Sequence, residues 1–317
     1  MTTPLISVLV LTYHPQENAL FSTLRSIVKQ KDCNYEIIVA DDGSPDFFEG
    51  AIRSFLDAHN CTYQILAHKE NQGTVKNILD GVKLARGAYV KPISPGDYLY
   101  DDTTLRDIGL FMEQHQAKAA FGKMIFYACE PDFYVKNLTH PILPGIYEAE
   151  RYCFRKAAKQ QLVYSDFISG ASAVYETATF RKALETIAPA VRYAEDSVFQ
   201  LFALENTRIY ALPRYIVWYE HGSGISTKQT GQAFTRIDWD FYNFYQLMAK
   251  LFPKNAYAQQ ARRLWELRKD GARKKLLAAK LRPGKLLFSL RVRLGRKTLK
   301  THHYNDEFFR QCHIVGI

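Results

Sequence analysis

The sequence predicts an α/β fold: a mixed, mostly parallel sheet flanked by helices, with a helical, basic extension toward the C-terminus. Three observations predict it. Short, continuous apolar runs recur early in the chain, as in strands buried on both faces. Stretches with apolar residues at helical spacing separate these runs. The strand runs end on polar or turn-forming residues, most clearly at Asp41-Asp-Gly-Ser-Pro45.

Ile6-Ser-Val-Leu-Val-Leu11 reads as the first strand. Residues 18–30 then place Leu20, Leu24, Ile27 and Val28 at helical spacing. Glu36-Ile-Ile-Val-Ala40 is a second strand, followed by helical spacing through Ile52, Phe55 and Leu56. Tyr63-Gln-Ile-Leu-Ala67 is a third strand, residues 73–86 a third helix, and Ala88-Tyr-Val-Lys-Pro-Ile93 a fourth strand. Three β-α-β units in succession imply a parallel, doubly wound sheet. Residues 105–215 are less regular, although 193–204 reads as a helix entered through acids and 209–219 as a strand. After Ser226 the pattern turns mainly helical. This predicts a main domain over 1–226, in halves 1–105 and 106–226, and a helical basic region over 227–317.

The composition, 47% hydrophobic and 14% aromatic over 317 residues, suits a globular chain with a large core and excludes a disordered one. No apolar run reaches the ~18 residues of a membrane-spanning helix. The opening residues lack a basic n-region and a cleavage site, so a cytoplasmic protein is expected. The five cysteines are widely spaced with no CxxC pair, which argues against a disulfide framework and a thiolate zinc site. Charge is unevenly distributed. Residues 254–300 hold 16 Lys or Arg against two acids, a local balance of +14 in a chain whose net charge is +10. The main body is therefore mildly acidic, and the high pI belongs to one segment.

In an open α/β sheet, ligands bind in the crevice beyond the carboxyl ends of the strands. Polar clusters stand at three such ends: Thr12-Tyr-His after the first strand, Asp41-Asp-Gly-Ser after the second, and Ser94-Pro-Gly-Asp97 after the fourth. Each alone would be an ordinary surface turn; together they converge on one crevice. It offers carboxylates and an aromatic ring, but neither GxGxxG nor GxxxxGK[ST], so the usual phosphate cradles are absent. A ligand phosphate would then call for a divalent ion on hard oxygen ligands, Mn²⁺ or Mg²⁺, with Asp97 the best-placed ligand.

These residues resemble the family 2 glycosyltransferases. The likeness rests on Ser7-Val-Leu-Val-Leu-Thr-Tyr13, Tyr35-Glu-Ile-Ile-Val-Ala-Asp-Asp-Gly-Ser44, Asn71-Gln-Gly73 with Asn77, Ala85-Arg-Gly-Ala-Tyr89 and Ser94-Pro-Gly-Asp97. Tyr193-Ala-Glu-Asp196 resembles the family's catalytic acids, and Trp218-Tyr-Glu-His-Gly-Ser-Gly-Ile-Ser226 its closing His-and-Ser segment. The resemblance implies a GT-A fold, a divalent metal, a nucleotide-sugar donor (usually a UDP-sugar) and inversion at the anomeric carbon. It implies donor contacts from Leu11, Thr12, Tyr13, Asp42, Asn71, Gly73, Asn77 and Asp97, with Tyr13 on the uracil and Asp42 on its N3–H. Asp97 would be the surviving acid of the DxD motif and His221 would approach the metal or the diphosphate. Asp196 would be the general base, with Glu195 beside it. Pro95 and Gly96 stand where many relatives carry acids, which makes a further ligand such as His221 more important. Simpler roles stay open: Asn71, Gly73 and Asn77 as the start of a helix, Asp41 as a turn residue, His221 as a loop residue, and Glu195 with Asp196 as acids favoured by a helix dipole.

The basic segment interleaves Lys and Arg with leucines, Trp265, Phe288 and Val292, which suits an anionic membrane surface. Nucleic acid is the rival partner and is not expected, because acceptors in this family are often lipid-linked sugars. A peripheral enzyme on the inner face of the plasma membrane, extending a lipid-linked glycan of a capsule or O-antigen, is the resulting expectation. Two alternatives are a sugar nucleotidyltransferase and a non-catalytic nucleotide- or glycan-binding relative. The first needs a Gly-rich basic loop after the first strand, which Thr12-Tyr-His-Pro15 is not; the second would not need Asp42, Asp97 and Asp196.

Overall fold

The structure is a computed structural model that describes residues 6–129, 133–136, 140–222, 231–267, 271–281 and 303–313, with isolated positions between 283 and 290. Ser226 and the basic run 291–300 lie outside the described residues. The first half alternates as expected: β1 (Ile6–Thr12), α1 (Glu17–Val28), β2 (Tyr35–Asp41), α2 (Glu49–Ala58), β3 (Tyr63–Ala67), α3 (Thr74–Leu84) and β4 (Tyr89–Ile93). There follow β5 (Tyr98–Leu99), α4 (Thr104–Gln114), β6 (Ala119–Ala128), β7 (Tyr134–Lys136), α5 (Phe154–Ala158), β8 (Ala173–Glu176), α6 (Thr177–Ile187), α7 (Val198–Leu204) and β9 (Ile209–Glu220). Among the described residues there follow α8 (Gly231–Leu251), α9 (Ala256–Glu266), α10 (Gly271–Leu281) and α11 (Glu307–Cys312).

The strands form one nine-stranded sheet in the order β3-β2-β1-β4-β8-β6-β9-β5, with β7 on β6. β1 to β4 are parallel, β8 runs against its neighbours β4 and β6, and β9 runs parallel to β6. The sheet is therefore mixed and mostly parallel. The order turns back between β1 and β4, which places the ligand crevice at their carboxyl ends. Pro92 is tolerated inside β4 because β8 pairs only with Tyr89 and Val90, so its missing N–H removes no bond on that side.

Period-two alternation along β1 divides the core. Ile6, Val8 and Val10 enter a cluster with Leu20, Leu24 and Ile27 of α1 and Ile52 and Leu56 of α2. Leu9 faces the other way, among Val75, Ile78 and Val82 of α3 and residues of α6 to α9. That second cluster includes Phe244, Met248, Ala258 and Ala261, so α8 and α9 share the core of the sheet domain. A third cluster joins Tyr98, Ile125, Tyr127 and Trp218 to Phe309 and Cys312 of α11.

The helix expected over 193–204 begins later: a 3₁₀ turn at Glu195–Ser197 precedes α7. The reason is local. The N–H groups of Tyr193 and Ala194 both donate to the Asp240 carboxylate, which holds them out of a helical path.

Candidate functional site

At the end of β1, Thr12 Oγ1 donates to Asp41 Oδ1 at 2.8 Å. Asp41 also accepts from the N–H (2.6 Å) and hydroxyl (2.7 Å) of Ser44. Asp41 is thus used up by its own turn. Leu11 packs against the α3 side of the core. Tyr13, just past the strand, is 50% exposed and sets its ring edge-on to His14 with centroids 4.4 Å apart.

Asp42 is buried and serves as a cap borrowed from a neighbouring strand. Its two oxygens accept from the N–H of Gln72 (2.7 Å) and of Gly73 (3.0 Å), at the start of α3, whose own N-cap residue has no side chain to offer. Burial raises its pKa, and these two donors offset the rise only in part. Asn71 accepts twice from the Arg192 guanidinium, at its backbone oxygen (2.9 Å) and its Oδ1 (3.2 Å). Gly73 adopts φ +90°, and a Cβ there would lie 2.3 Å from Arg192 Cγ. Only glycine lets the Arg192 segment cross so close. Asn77, at 2% exposure, donates to Ala40 O at 2.9 Å, so it ties α3 to β2 and does not reach the crevice surface.

After β4, Gly96 adopts φ +93°, and a Cβ there would meet Glu220 Oε2 at 2.3 Å. A carboxylate from β9 thus occupies the space beside the position where the DxD motif lacks an acid. The Glu220 N–H also donates to Asp97 Oδ1 at 3.0 Å. Burial pushes the Asp97 carboxyl up to about 7, against the pull of that N–H and of the nearby Lys91 ammonium. Lys91 is fully buried, and its Nζ donates to Pro92 O (2.6 Å) and Ala171 O (2.7 Å). Glu220 escapes sequence reasoning as a site residue because nothing in its own neighbourhood pairs it with position 97; its place in the Trp218–Ser226 motif, next to His221, is the only signal.

His221 faces Lys136 Nζ through its Nδ1 at 2.8 Å, and burial and that cation both lower its pKa. A neutral ring accepting from an ammonium at Nδ1 carries its proton on Nε2, so in this arrangement neither nitrogen presents a lone pair to a metal. Among the described residues no group of three His, Cys, Asp or Glu is arranged to hold a metal ion. Asp97 and Glu220 do form a carboxylate pair. One or two carboxylates with substrate phosphates are the usual setting for Mg²⁺, so the residues present fit an ion shared with a diphosphate.

Glu195 and Asp196 come next to each other in the 3₁₀ turn, on a backbone gripped by Asp240 at 2.5 Å (Tyr193 N–H) and 3.0 Å (Ala194 N–H). Glu195 lies against the turn at Gly170, where a Cβ would stand 2.5 Å from its Oε1. Burial raises the pKa of both acids, and the Asp196 and Asp240 charges raise Glu195 further. The site residues are thus linked in a continuous chain. Asp42 holds residues 72 and 73, Gly73 is crossed by Arg192, and three and four residues on stand the two acids. Glu195 in turn meets the Gly170 turn, and Lys91 ties that turn back to the end of β4. An aromatic platform, a carboxylate pair and a second acid pair with raised pKa values suit displacement at a charged, phosphate-bearing ligand.

A sequence model of glycosyl transferase family 2 matches residues 7–182, more than half of the chain. The putative glycosyltransferase EpsH of Bacillus subtilis is 33% identical over 104 residues, covering 32% of this chain and 29% of that protein. Across the curated relatives the match spans between 13% and 63% of the relative's own length. Among solved structures, S. aureus TarS in complex with UDP-GlcNAc aligns with TM-score 0.51 at 19% identity, over 81% of this chain and 70% of that one. The mannosyltransferase PcManGT from Pyrobaculum calidifontis, in complex with GDP-Man and Mn²⁺, aligns with TM-score 0.57 at 14% identity, over 93% and 81%. At such identities these two likenesses concern the fold.

Proposed function

The chain belongs to glycosyl transferase family 2, and we propose that it transfers a sugar from a nucleotide-sugar donor, a UDP-sugar, to a hydroxyl of a saccharide acceptor with inversion. The observation that carries this is the chain of contacts that joins the crevice between β1 and β4 to the Glu195–Asp196 pair. Tyr13 would stack on the base and Asp42, keeping its hold on α3, would accept from the base edge. Asn71, Thr12 and Leu11 would line that end through the backbone and the β1 turn. The cation Lys136, with the N–H of His221 beside it, would face the diphosphate. Asp97 and Glu220 would hold a divalent ion, Mn²⁺ or Mg²⁺, which when bound supplies the positive charge that makes the diphosphate a good leaving group.

The step itself is one displacement. The acceptor oxygen forms a bond to the anomeric carbon as the bond from that carbon to the β-phosphate oxygen breaks. UDP departs with the electron pair, and Asp196 takes the proton of the attacking hydroxyl. Asp196 suits this role because it matches the family's acid in type and position, and burial raises its pKa toward the range a general base needs.

The acceptor is proposed to be a lipid-linked intermediate of surface polysaccharide, met at the inner face of the plasma membrane. Support comes from the basic segment 254–300 and from Leu276, Leu286, Leu287 and Leu290, which stand exposed within it. The donor crevice and the acid pair lie before residue 226, and attachment belongs to the basic segment within 254–300.

Thermal stabilisation across a panel of UDP- and GDP-sugars, with Mn²⁺ or with EDTA, tests the donor. Saturation at ~100 times Kd should add about 2.7 kcal/mol of stability with the right donor. Stabilisation that survives both EDTA and Asp97→Ala would remove the metal assignment, and no response to any nucleotide sugar would remove the function.

A further inference from the structure

The two acids of the site are presented by backbone that a helix outside the family match controls. α8 lies wholly beyond residue 182, where that match ends. Asp240 of α8 is 6% exposed, and one of its oxygens, Oδ2, accepts both from Tyr193 N–H at 2.5 Å and from Ala194 N–H at 3.0 Å. Its neighbour Phe241 stacks on Phe167 with ring centroids 5.0 Å apart and planes within 8°. Phe167 leads into the Gly170 turn that Glu195 touches. Successive residues of one helix therefore grip both segments that enclose Glu195. Arg236, one turn earlier, lies over the Tyr193 ring at 5.9 Å, with Arg192 on that ring at 5.4 Å.

We propose that Asp240 is a positioning residue for transfer: it holds the Tyr193–Ala194 backbone so that Glu195 and Asp196 face the acceptor, and it sets a carboxylate beside that pair. This rests on the glycosyltransferase function proposed above. The Asp240 carboxylate works through geometry and charge, and these separate by substitution. Asparagine keeps an oxygen that can accept from both N–H groups but removes the charge; alanine removes both. The charged and titratable groups around Glu195 are Asp196 in its own turn, Asp240 from α8 and the Tyr175 phenol of β8, with Arg192 and Arg236 flanking Tyr193. Asp240 is the one anion among them contributed by α8.

The full chain is tested as Asp240→Ala and Asp240→Asn, with kcat, donor KM and the pH profile of kcat for each. Asp240→Ala is expected to lower kcat 10- to 100-fold with donor KM within twofold of the parent. Asp240→Asn is expected to recover most of kcat while moving the acidic limb to lower pH, because a like charge has gone from beside the acids. Two readouts need no turnover. Amide exchange of the peptide around 193–197 should quicken in Asp240→Ala and stay protected in Asp240→Asn. Carboxyl NMR titration should show the Glu195 pKa falling in Asp240→Asn. If the parent protein turns over no nucleotide sugar yet these two readouts behave as stated, the proposed function fails and the hold of Asp240 stands. Parallel loss of UDP binding and kcat in Asp240→Ala, or unchanged exchange and an unmoved Glu195 titration, overturns the proposal.

Discussion

Glu195 has two other acids near it, Asp196 beside it and Asp240 behind the preceding backbone, and both add to the rise in its pKa that burial begins. Burial raises both acids of the turn, and like charge close by in a partly dry site raises Glu195 further. Asp196→Asn is therefore expected to lower kcat by about 10²-fold or more with UDP binding unchanged, and Glu195→Gln to be the milder change. The sign of the pH effect follows: the ionised base is the active form, and its pKa stands above that of an ordinary aspartate. Turnover should fall as pH falls, with the limb at higher pH than an exposed carboxylate would give; a limb near pH 4 in the kcat profile would exclude Asp196. Gly73→Ala is a test of a different kind, since its Cβ would stand 2.3 Å from Arg192 Cγ at φ +90°. We expect a loss of about 1–3 kcal/mol, read as a lowered Tm, because two segments must part to admit one methyl group. Asp42, Asp97 and the 195–196 pair are legible in the sequence because each ends a strand or opens a helical stretch. Glu220 and Asp240 are not. They reach the site across 123 and 46 residues of chain, and no periodicity marks such a contact.

β1 and β2 could be read from the sequence because each is a largely apolar run bounded by turn chemistry and buried on both faces of the sheet, while β3, which is partly exposed, and β4, which carries Lys91, are marked by the turns and helical stretches around them. α11 could not, because six residues are too few to display a helical period. Yet it closes the third core cluster: Phe309 packs edge-on to Tyr98 and Tyr127, each 4.8 Å away, and near Trp218 at 4.9 Å. His313 Nδ1 lies 2.7 Å from the Tyr98 hydroxyl, one residue from Asp97. A cut after Phe252 would strip this cluster, along with Ala258, Ala261 and Leu264 of α9, so truncation there removes core as well as charge. Phe309→Ala should cost about 3–5 kcal/mol. Trp218, at 0% exposure, supplies the readout, and its emission should shift to the red as water reaches the indole. An unchanged Tm and spectrum would mean that the segment does not pack there in solution.

At the scale of the molecule the dominant feature is charge asymmetry: a mildly acidic catalytic body and a segment of +14 within 254–300. Among the described residues no helix is long and apolar enough to cross a membrane, and the attachment proposed above acts through surface charge. Each Lys or Arg near an anionic leaflet contributes about 1 kcal/mol. Replacing Arg291, Arg293, Arg296, Lys297 and Lys300 by Gln removes several kcal/mol of that attraction while leaving Ala258, Leu264 and Phe309 in the core. That variant therefore separates attachment from folding where truncation cannot. It should lose binding to phosphatidylserine vesicles, ignore phosphatidylcholine vesicles as the parent does, and hydrolyse the donor at the parental rate. Salt provides an independent check, because the Debye length shrinks from about 10 Å at 0.1 M to about 3 Å at 1 M. Vesicle binding by the parent should weaken steeply over that range. Binding insensitive to salt would assign attachment to the exposed leucines instead, and tight binding to RNA without binding to vesicles would make nucleic acid the partner of the segment.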